Sequence, residues 1–161
     1  MSLAADAPSL EDRELVLTRV IDATPDKLYR AWTEAELLKQ WFAPAPVTVP
    51  VAELDVRPGG SNLIVMRLPD GLEAPNRGVY LEVIPNEKLV FTDAYAAAWE
   101  PSANPFMTVI LTFEDLGNGQ TRYTARVRHF TVAGREQHER MGFHQGWGQC
   151  ADQLAELGKR I

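Results

Sequence analysis

Residues 47–130 form a succession of short segments rich in β-branched and aromatic residues, with no long helical period among them. Turn residues end each segment: Pro58, Gly59 and Gly60 close one, and a Gly-Asn-Gly run at residues 117–119 separates the last two. This pattern predicts an antiparallel sheet whose last two strands form a hairpin. With the β-rich segment at residues 14–21, six to seven strands are expected, and a sheet of that width usually curls around another element.

Two short helices are predicted between the first strand and the rest of the sheet. Thr24, Pro25 and Asp26 supply an N-cap, a proline at the first helical position and an acid in the first turn. A capping box at residues 33–36 then begins a second helix, which prolines end after Trp41. The chain is therefore of the α+β class.

Residues 132–161 contain no proline, and their apolar residues recur at helical spacing on one stripe, which predicts a long C-terminal helix. Glycines within this segment oppose that interpretation, because each costs about 1 kcal/mol relative to alanine in a helix interior. We expect close approach of the helix to the sheet to compensate. The glycines concerned are Gly142, Gly146, Gly148 and Gly158.

The length of 161 residues and the net charge of −6 limit the possible classes of protein. We expect residues 1–12 to form a flexible N-terminal tail and residues 13–161 to form one domain. An acidic chain attracts no phosphate backbone, so nucleic acid is excluded as a partner. The single cysteine, Cys150, cannot form an intramolecular disulfide. No apolar run reaches the roughly 18 residues of a membrane span or signal anchor, so a cytoplasmic protein without membrane insertion is predicted.

The motifs of metal and nucleophilic catalysis are missing from the sequence. His138 and His144 are separated by six residues, whereas a zinc HExxH site needs a separation of four. The serines lack the nucleophile elbow, and the Gly-Gly turn at residues 59–60 lacks the lysine of a phosphate loop. We therefore predict no metal, no cofactor and no assignable catalytic residue, and we favour a binding domain over an enzyme.

Aromatic residues are concentrated in the helix pair, the strands and the C-terminal helix. Core packing explains any one of them, but together they favour an apolar cavity, because one helix is too narrow to fill the hollow of such a sheet. We predict a small hydrophobic or amphipathic ligand in that cavity. The predicted ligand-contacting residues are Trp32, Trp41, Phe42, Met66, Tyr80, Phe91, Asp93, Tyr95, Phe106, His129, His144 and Trp147.

Three polar residues in this set come from periodicity. Alternation along the last strand turns His129 inward with Tyr123, and a neutral histidine bonded to a backbone carbonyl explains it as well as an acid or base does. Asp93 shares a strand face with Phe91 and could be an inward carboxylate or a surface group. His144 lies three residues before Trp147 and could border the same cavity.

The order of several motifs resembles the bacterial homologues of the activator of heat shock protein 90 ATPase, within the START-like helix-grip superfamily. The resemblance covers about residues 15–157. It rests on the segments Ala-Thr-Pro-Asp-Lys-Leu-Tyr-Arg-Ala-Trp at 23–32, Glu-Leu-Leu-Lys-Gln-Trp-Phe-Ala-Pro at 36–44, Asp-Val-Arg-Pro-Gly-Gly at 55–60, the segment at 78–92 and Gly-Trp at 146–147. Where many relatives have a tryptophan, this chain has Asp93, which would make one wall of the cavity polar.

The resemblance implies a Bet v-like helix-grip fold: a curved antiparallel sheet around a long C-terminal helix, with two small helices after strand one and a cavity between helix and sheet. Relatives include lipid and hormone carriers, polyketide aromatase/cyclases and co-chaperone domains, so the fold leaves function open. Two alternatives to ligand carriage are a cyclase or dehydratase using His129 and Asp93, and an interaction module for a chaperone. The chain has no residues for the separate domain that stimulates the chaperone in the eukaryotic relative, which argues against a chaperone partner. A homodimer through sheet edges is a further expectation.

Overall fold

The computed structural model describes residues 9–161. The first eight residues of the predicted tail lie outside the described residues, and its last residues enter a 3₁₀ turn at Glu11–Arg13. The described chain forms one seven-stranded antiparallel sheet in the order β1-β9-β8-β5-β4-β3-β2 and a two-stranded hairpin, β6-β7. The strands are β1 (Glu14–Ile21), β2 (Thr48–Leu54), β3 (Ser61–Arg67), β4 (Glu73–Ile84), β5 (Lys88–Thr92), β6 (Tyr95–Ala97), β7 (Glu100–Pro101), β8 (Met107–Gly117) and β9 (Gln120–His129).

The seven main strands correspond to the seven β-rich segments of the sequence. Strand β4 begins at Glu73, because the exposed segment 73–77 pairs with β3 although it shows no apolar alternation. The small hairpin β6-β7 lies in the connection between β5 and β8. Trp99 at its tip has a φ of 61° and is exposed.

Four helices lie outside the sheet in the described chain: α1 (Pro25–Thr33), α2 (Ala35–Leu38), α3 (Val132–Arg140) and α4 (Phe143–Gly158). The prediction of a single unbroken helix over residues 132–161 is wrong at one point. Gly142 adopts a φ of 96°, a left-handed conformation that ends α3 and caps the start of α4. Because of this break, α3 folds back against the end of β9 and the turn at Glu11–Arg13. None of the helices in residues 9–161 is long and apolar enough to cross a bilayer.

Helix α4 packs on the sheet and on α1, and two glycines allow the close approach that the sequence predicted. A Cβ atom at Gly158 would lie 2.8 Å from Cβ of Ala23, and one at Gly148 would lie 3.0 Å from the guanidinium of Arg19. A Cβ atom added at Gly146 would have no atom of a neighbouring element within 4 Å, so that glycine is not required by a close contact.

The core lies between this helix layer and the inner face of the sheet. Alternate residues of β9, from Thr121 through Tyr123 to His129, are buried as predicted. Ala125 is opposite Leu17 on one side and Leu111 on the other, so a small side chain separates two large ones across three strands. All three are among the most buried residues of the chain.

Candidate functional site

Five of the predicted residues form one aromatic group, here called the tryptophan cluster: Trp32, Trp41, Phe42, Tyr80 and Phe91. Trp32 of α1 is at its centre, with its ring centroid 4.7 Å from that of Trp41, 5.8 Å from Phe42 and 5.7 Å from Phe91. Tyr80 joins through Phe91 at 6.4 Å. The indole Nε1 of Trp41 donates a buried 3.0 Å hydrogen bond to the carbonyl of Ala31, which fixes its ring against α1.

A second group, here called the histidine cluster, lies where β9, α3 and α4 meet: Phe106, His129, His138, Phe143 and Trp147. The ring of His138 lies 5.1 Å from that of His129, 5.3 Å from Phe106 and 6.2 Å from Trp147. Phe143 packs on Trp147 at 5.2 Å. The sequence predicted three of these residues and missed His138 and Phe143 as members.

Hydrogen bonds determine the tautomers of the two imidazoles. His129 Nδ1 is 2.9 Å from the carbonyl oxygen of Arg13, which can only accept, so Nδ1 carries the proton. His129 Nε2 is then an acceptor, and Nδ1 of His138 donates to it across 2.8 Å. Both ring nitrogens of His129 are therefore engaged, and Nε2 of His138 keeps its lone pair.

Burial determines the charge of the pair. It lowers the pKa of His129, and it lowers the pKa of His138 to about 4, with a smaller contribution from the His129 charge. Both rings are neutral at pH 7. Of the two interpretations offered for His129, the structure matches a buried neutral histidine bonded to a backbone carbonyl.

Several apolar side chains near the histidine cluster are only half-buried, although Phe143 there is fully buried. Along α4, Leu154 and Leu157 are fully buried, whereas Trp147 and Cys150, nearer the start of the helix, are half-buried. The sheet shows the same gradient. Val109, Leu111 and Phe113 of β8 are buried, whereas Met107 is half-buried.

Phe91, Phe42 and Met66 are also half-buried and pack against the core. Met107 pairs with His129 across the β8-β9 ladder, so the less covered end of the sheet is the end that carries the histidine cluster. Six of the half-buried apolar residues come from the sheet, the loop after α2 and α4, and they lie along the two aromatic clusters. We call this region the apolar opening; its residues are Phe42, Met66, Phe91, Met107, Trp147 and Cys150.

A group of buried polar side chains lies beside the apolar opening. Trp32 is only 3% exposed, and its buried indole Nε1 has no acceptor in hydrogen-bond geometry. The N–H nevertheless faces the phenol of Tyr123 at long range or in poor alignment: burial raises the pKa of Tyr123, and a hydrogen-bonding effect of the indole N–H opposes that rise. Cys150 lies near the same phenol, and burial raises the pKa of its thiol to about 11. Its Sγ donates to the carbonyl of Phe42 at 3.3 Å.

Gln153 of α4 positions the loop after α2, and sequence reasoning missed it. Its Nε2 donates to the carbonyls of Trp41 and Ala43, both at 2.8 Å, and its Oε1 accepts from the Ala45 amide at 3.0 Å. These three bonds hold the chain around Phe42 against α4. A glutamine on the edge of an apolar stripe gives no sequence signal for such a role.

Three predicted residues lie outside both clusters and outside the apolar opening, and they have other contacts. Asp93 Oδ1 accepts from the backbone amides of Phe106 and Met107, at 2.8 and 3.0 Å, so it holds the entry to β8. Tyr95 packs on Trp99 in the small hairpin, at 5.5 Å between ring centroids. The side chain of His144 is 56% exposed, with Nε2 at 3.6 Å from Glu139 Oε2. Helix α4 begins anew at Gly142, which turns His144 toward solvent instead of toward Trp147's inner face.

Two surface clefts of the described chain lie elsewhere. An open cleft of about 660 Å³ lies between the start of α1, the β4-β5 turn and the end of β8, with Asp26, Glu87, Glu114 and Asp115 among its lining residues. A smaller one of about 340 Å³ lies along the outer face of α4.

An antiparallel sheet with two short helices after its first strand and a C-terminal helix packed on its inner face defines a protein of the START-like helix-grip class. The chain belongs to the family described as activator of Hsp90 ATPase homolog 1-like protein, whose sequence profile matches residues 22–159. Both conclusions agree with the resemblance seen in the sequence motifs.

Solved structures of similar proteins extend this finding. The chain is 39% identical to a protein of Nitrosomonas europaea, over 92% of this chain and 96% of that one, with a TM-score of 0.89. A protein of Staphylococcus epidermidis is 26% identical over 92% and 90% of the two chains, with a TM-score of 0.78. A Staphylococcus aureus protein of unknown function, at 24% identity, 91% and 93% coverage and a TM-score of 0.68, shares the fold. No curated protein matches the chain significantly.

Proposed function

We propose that this protein binds a small hydrophobic or amphipathic molecule at the apolar opening, between the tryptophan cluster and the histidine cluster. The observation that supports it is that six half-buried apolar side chains from three parts of the fold lie along the two aromatic clusters. Apolar surface left partly in water at one place marks a binding site more often than scattered exposed residues do.

The surroundings favour a rigid site. Trp41 is fixed by its bond to Ala31, the Phe42 loop by Gln153, and α3 by the bond between His138 and His129. Walls held by such bonds lose little conformational freedom when a ligand binds, so more of the contact energy is available for affinity.

The contacts of the two acid/base candidates do not favour the cyclase or dehydratase alternative. Asp93 Oδ1 serves two backbone amides, and both ring nitrogens of His129 already have partners. A group that moves a proton must reach the substrate directly or through one water. We therefore advance ligand binding alone.

Methionine methyl NMR tests the proposal with an internal control. Met66 and Met107 belong to the apolar opening, whereas Met141 is 72% exposed at the α3-α4 junction. We expect 1-anilinonaphthalene-8-sulfonate or 2-acetylnaphthalene, titrated into protein labelled at the methionine methyls, to shift the Met66 and Met107 signals saturably and leave Met141 unmoved.

Two variants locate the site independently. Trp147→Ala removes a wall of the apolar opening and should weaken binding about tenfold or more, while Val20→Ala, at an exposed position of β1 outside both clusters, should leave it unchanged. Equal effects of the two substitutions, or an absence of saturable shifts at Met107, would overturn the proposal.

A further inference from the structure

We infer that helix α3 is a lid on the apolar opening: it swings away from Phe106 and Trp147 to admit a ligand and then returns to the position seen in the structure. This inference rests on the proposed binding function and adds the route by which the ligand enters. Neither of the two clefts described above is lined by Phe106 or Trp147. A ligand that buries itself against these rings therefore needs a wall of the site to move.

The first observation is what α3 covers. The ring of His138 lies against Phe106 and Trp147, at 5.3 and 6.2 Å between ring centroids. In the first turn of the helix, a Cβ atom at Gly134 would lie 3.6 Å from Cε1 of Phe106. Phe106 and Trp147 are half-buried with α3 in this position, and Trp147 belongs to the apolar opening. Moving α3 away would therefore uncover apolar surface that adjoins the opening.

The second observation is how little apolar contact holds α3. None of its nine residues is buried, whereas six residues of α4 are. Packing of an apolar face is what mainly stabilises a helix in a domain, and α3 has no such face. Two side-chain hydrogen bonds tie it to the rest of the described chain. Nδ1 of His138 donates to Nε2 of His129 at 2.8 Å, and Nε of Arg135 donates to the carbonyl of Asp12 at 3.0 Å. These bonds define one closed position, and a segment held by so few contacts opens at a low cost in free energy.

The third observation is that the chain on both sides of α3 suits a hinge. Residues 130–131 before it and Met141 after it are exposed, and Gly142 has a φ of 96°. A glycine accepts large changes of φ and ψ at little cost, and short exposed connections are where such changes occur when a packed element moves. Within the helix, Arg135 and Glu139 form an ion pair at 2.8 Å. This pair lies inside α3 and moves with it.

A disulfide that locks α3 to the sheet tests the lid. A Cβ atom at Gly134 would lie 3.9 Å from Cβ of His129, and disulfides have Cβ–Cβ distances of about 3.5–4.5 Å. The variant carries Gly134→Cys and His129→Cys, with Cys150→Ala so that only one disulfide can form. Its oxidised form is locked and its reduced form is free, so the comparison is made within one sequence and the loss of His129 affects both forms equally.

Stopped-flow fluorescence of 1-anilinonaphthalene-8-sulfonate measures association and dissociation of the probe at pH 7. A lid controls entry and exit alike, so we expect the locked form to show both rates reduced about tenfold, with a dissociation constant close to that of the reduced form. Loss of contacts in the site would instead speed dissociation and weaken binding. The variant with Cys150→Ala alone, treated with the same oxidant and reductant, should show a single pair of rates.

A substitution that loosens the lid should have the opposite effect and does not depend on the disulfide. Arg135→Ala removes the bond to the carbonyl of Asp12, so both rates should rise about fivefold, as expected for the loss of one hydrogen bond from the closed position. Arg140→Ala is the matched control, because Arg140 is an exposed residue of the same helix whose ion pair, with Glu136, lies within α3. Its rates should equal those of the parent chain.

The outcomes distinguish the lid from the proposed function. Equal rates in the locked and reduced forms, or equal rates in Arg135→Ala and Arg140→Ala, overturn the lid and leave the binding function standing. A locked form that binds more weakly because it releases the probe faster makes α3 a fixed wall, which also overturns the lid. If the parent chain does not bind the probe saturably, the binding function itself fails, and the lid fails with it.

Discussion

His138 donates its Nδ1 proton to Nε2 of His129 across 2.8 Å, and this bond ties α3 to the last strand of the sheet. The His129 Nδ1 proton continues the chain to the carbonyl of Arg13, just before β1. The N-terminal turn, the end of β9 and α3 are thus joined by two imidazoles that must both stay neutral. Their pKa values are lowered by burial, so the junction depends on pH.

The histidine pair predicts a loss of stability in acid. His138 has a pKa of about 4 in the folded chain against 6.5 for the free side chain, so the unfolded chain binds more protons between these values. The free energy of unfolding should therefore fall as the pH decreases from 6.5 to about 4. We expect a loss of about 1–2 kcal/mol from this group, less than the full linkage value because water screens a half-exposed ring. Urea unfolding at a series of pH values measures it.

Two variants identify the source of that pH dependence. His138→Asn keeps a donor near the position of Nδ1 and removes the titration, so its stability should depend less on pH than that of the parent chain. His144→Asn changes an exposed histidine and should leave the pH dependence unchanged. The same slope in His138→Asn and in the parent would contradict the assignment.

Substitution of Asp93 should affect the stability of the fold, because its carboxylate bonds to the backbone. Asp93→Ala leaves the amides of Phe106 and Met107 without their acceptor and should lower the free energy of unfolding by about 1–3 kcal/mol. Asp93→Asn retains an oxygen at the same place and should cost much less. Urea denaturation compares the two, and an alanine variant as stable as the parent would show that these bonds are unimportant.

The loop that carries Phe42 should depend on the side chain of Gln153 for its stability. Gln153→Ala removes two donors and one acceptor and should cost about 1–3 kcal/mol. Hydrogen exchange gives the local result: the Ala45 amide, which donates to Gln153, should exchange faster. Gln145→Ala, an exposed substitution on the same helix, is the matched control. Unchanged exchange at Ala45 would mean that another contact protects it.

Strand periodicity predicted more of the site than helix periodicity did. A two-residue repeat fixes the face of every residue in a strand, so the inward position of His129 beside Tyr123 follows once the strand is known. Helix periodicity did not place His144 correctly, because the left-handed conformation of Gly142 ends α3 and starts α4 with a different rotation about the helix axis. His138 is brought to His129 by that same break, and the sequence shows only the glycine, not the fold-back that it allows.

Side-chain contacts across the fold were the least predictable part. Asp93 seemed a candidate inward carboxylate, yet its partners are two amides at the start of β8, thirteen and fourteen residues further along the chain. The placement of Trp32, Tyr123 and Cys150 side by side depends on three elements, α1, β9 and α4, meeting in one place. Local propensity carries no information about such meetings, which depend on tertiary packing.

Two glycines of α4 predict opposite effects of the same substitution. At Gly146 an added methyl group meets no atom within 4 Å, so Gly146→Ala should stabilise the protein by about 0.5–1 kcal/mol through helix propensity. At Gly158 the methyl would lie 2.8 Å from Cβ of Ala23, in the core contact between α4 and the start of α1, so Gly158→Ala should destabilise by about 1–3 kcal/mol. Thermal and urea unfolding measure both. Adding Ala23→Gly to Gly158→Ala removes the opposing methyl and should recover part of the loss, because the penalty comes from that one contact and not from the helix. If Gly158→Ala proved as stabilising as Gly146→Ala, the close packing of α4 on the β1-α1 junction would be wrong.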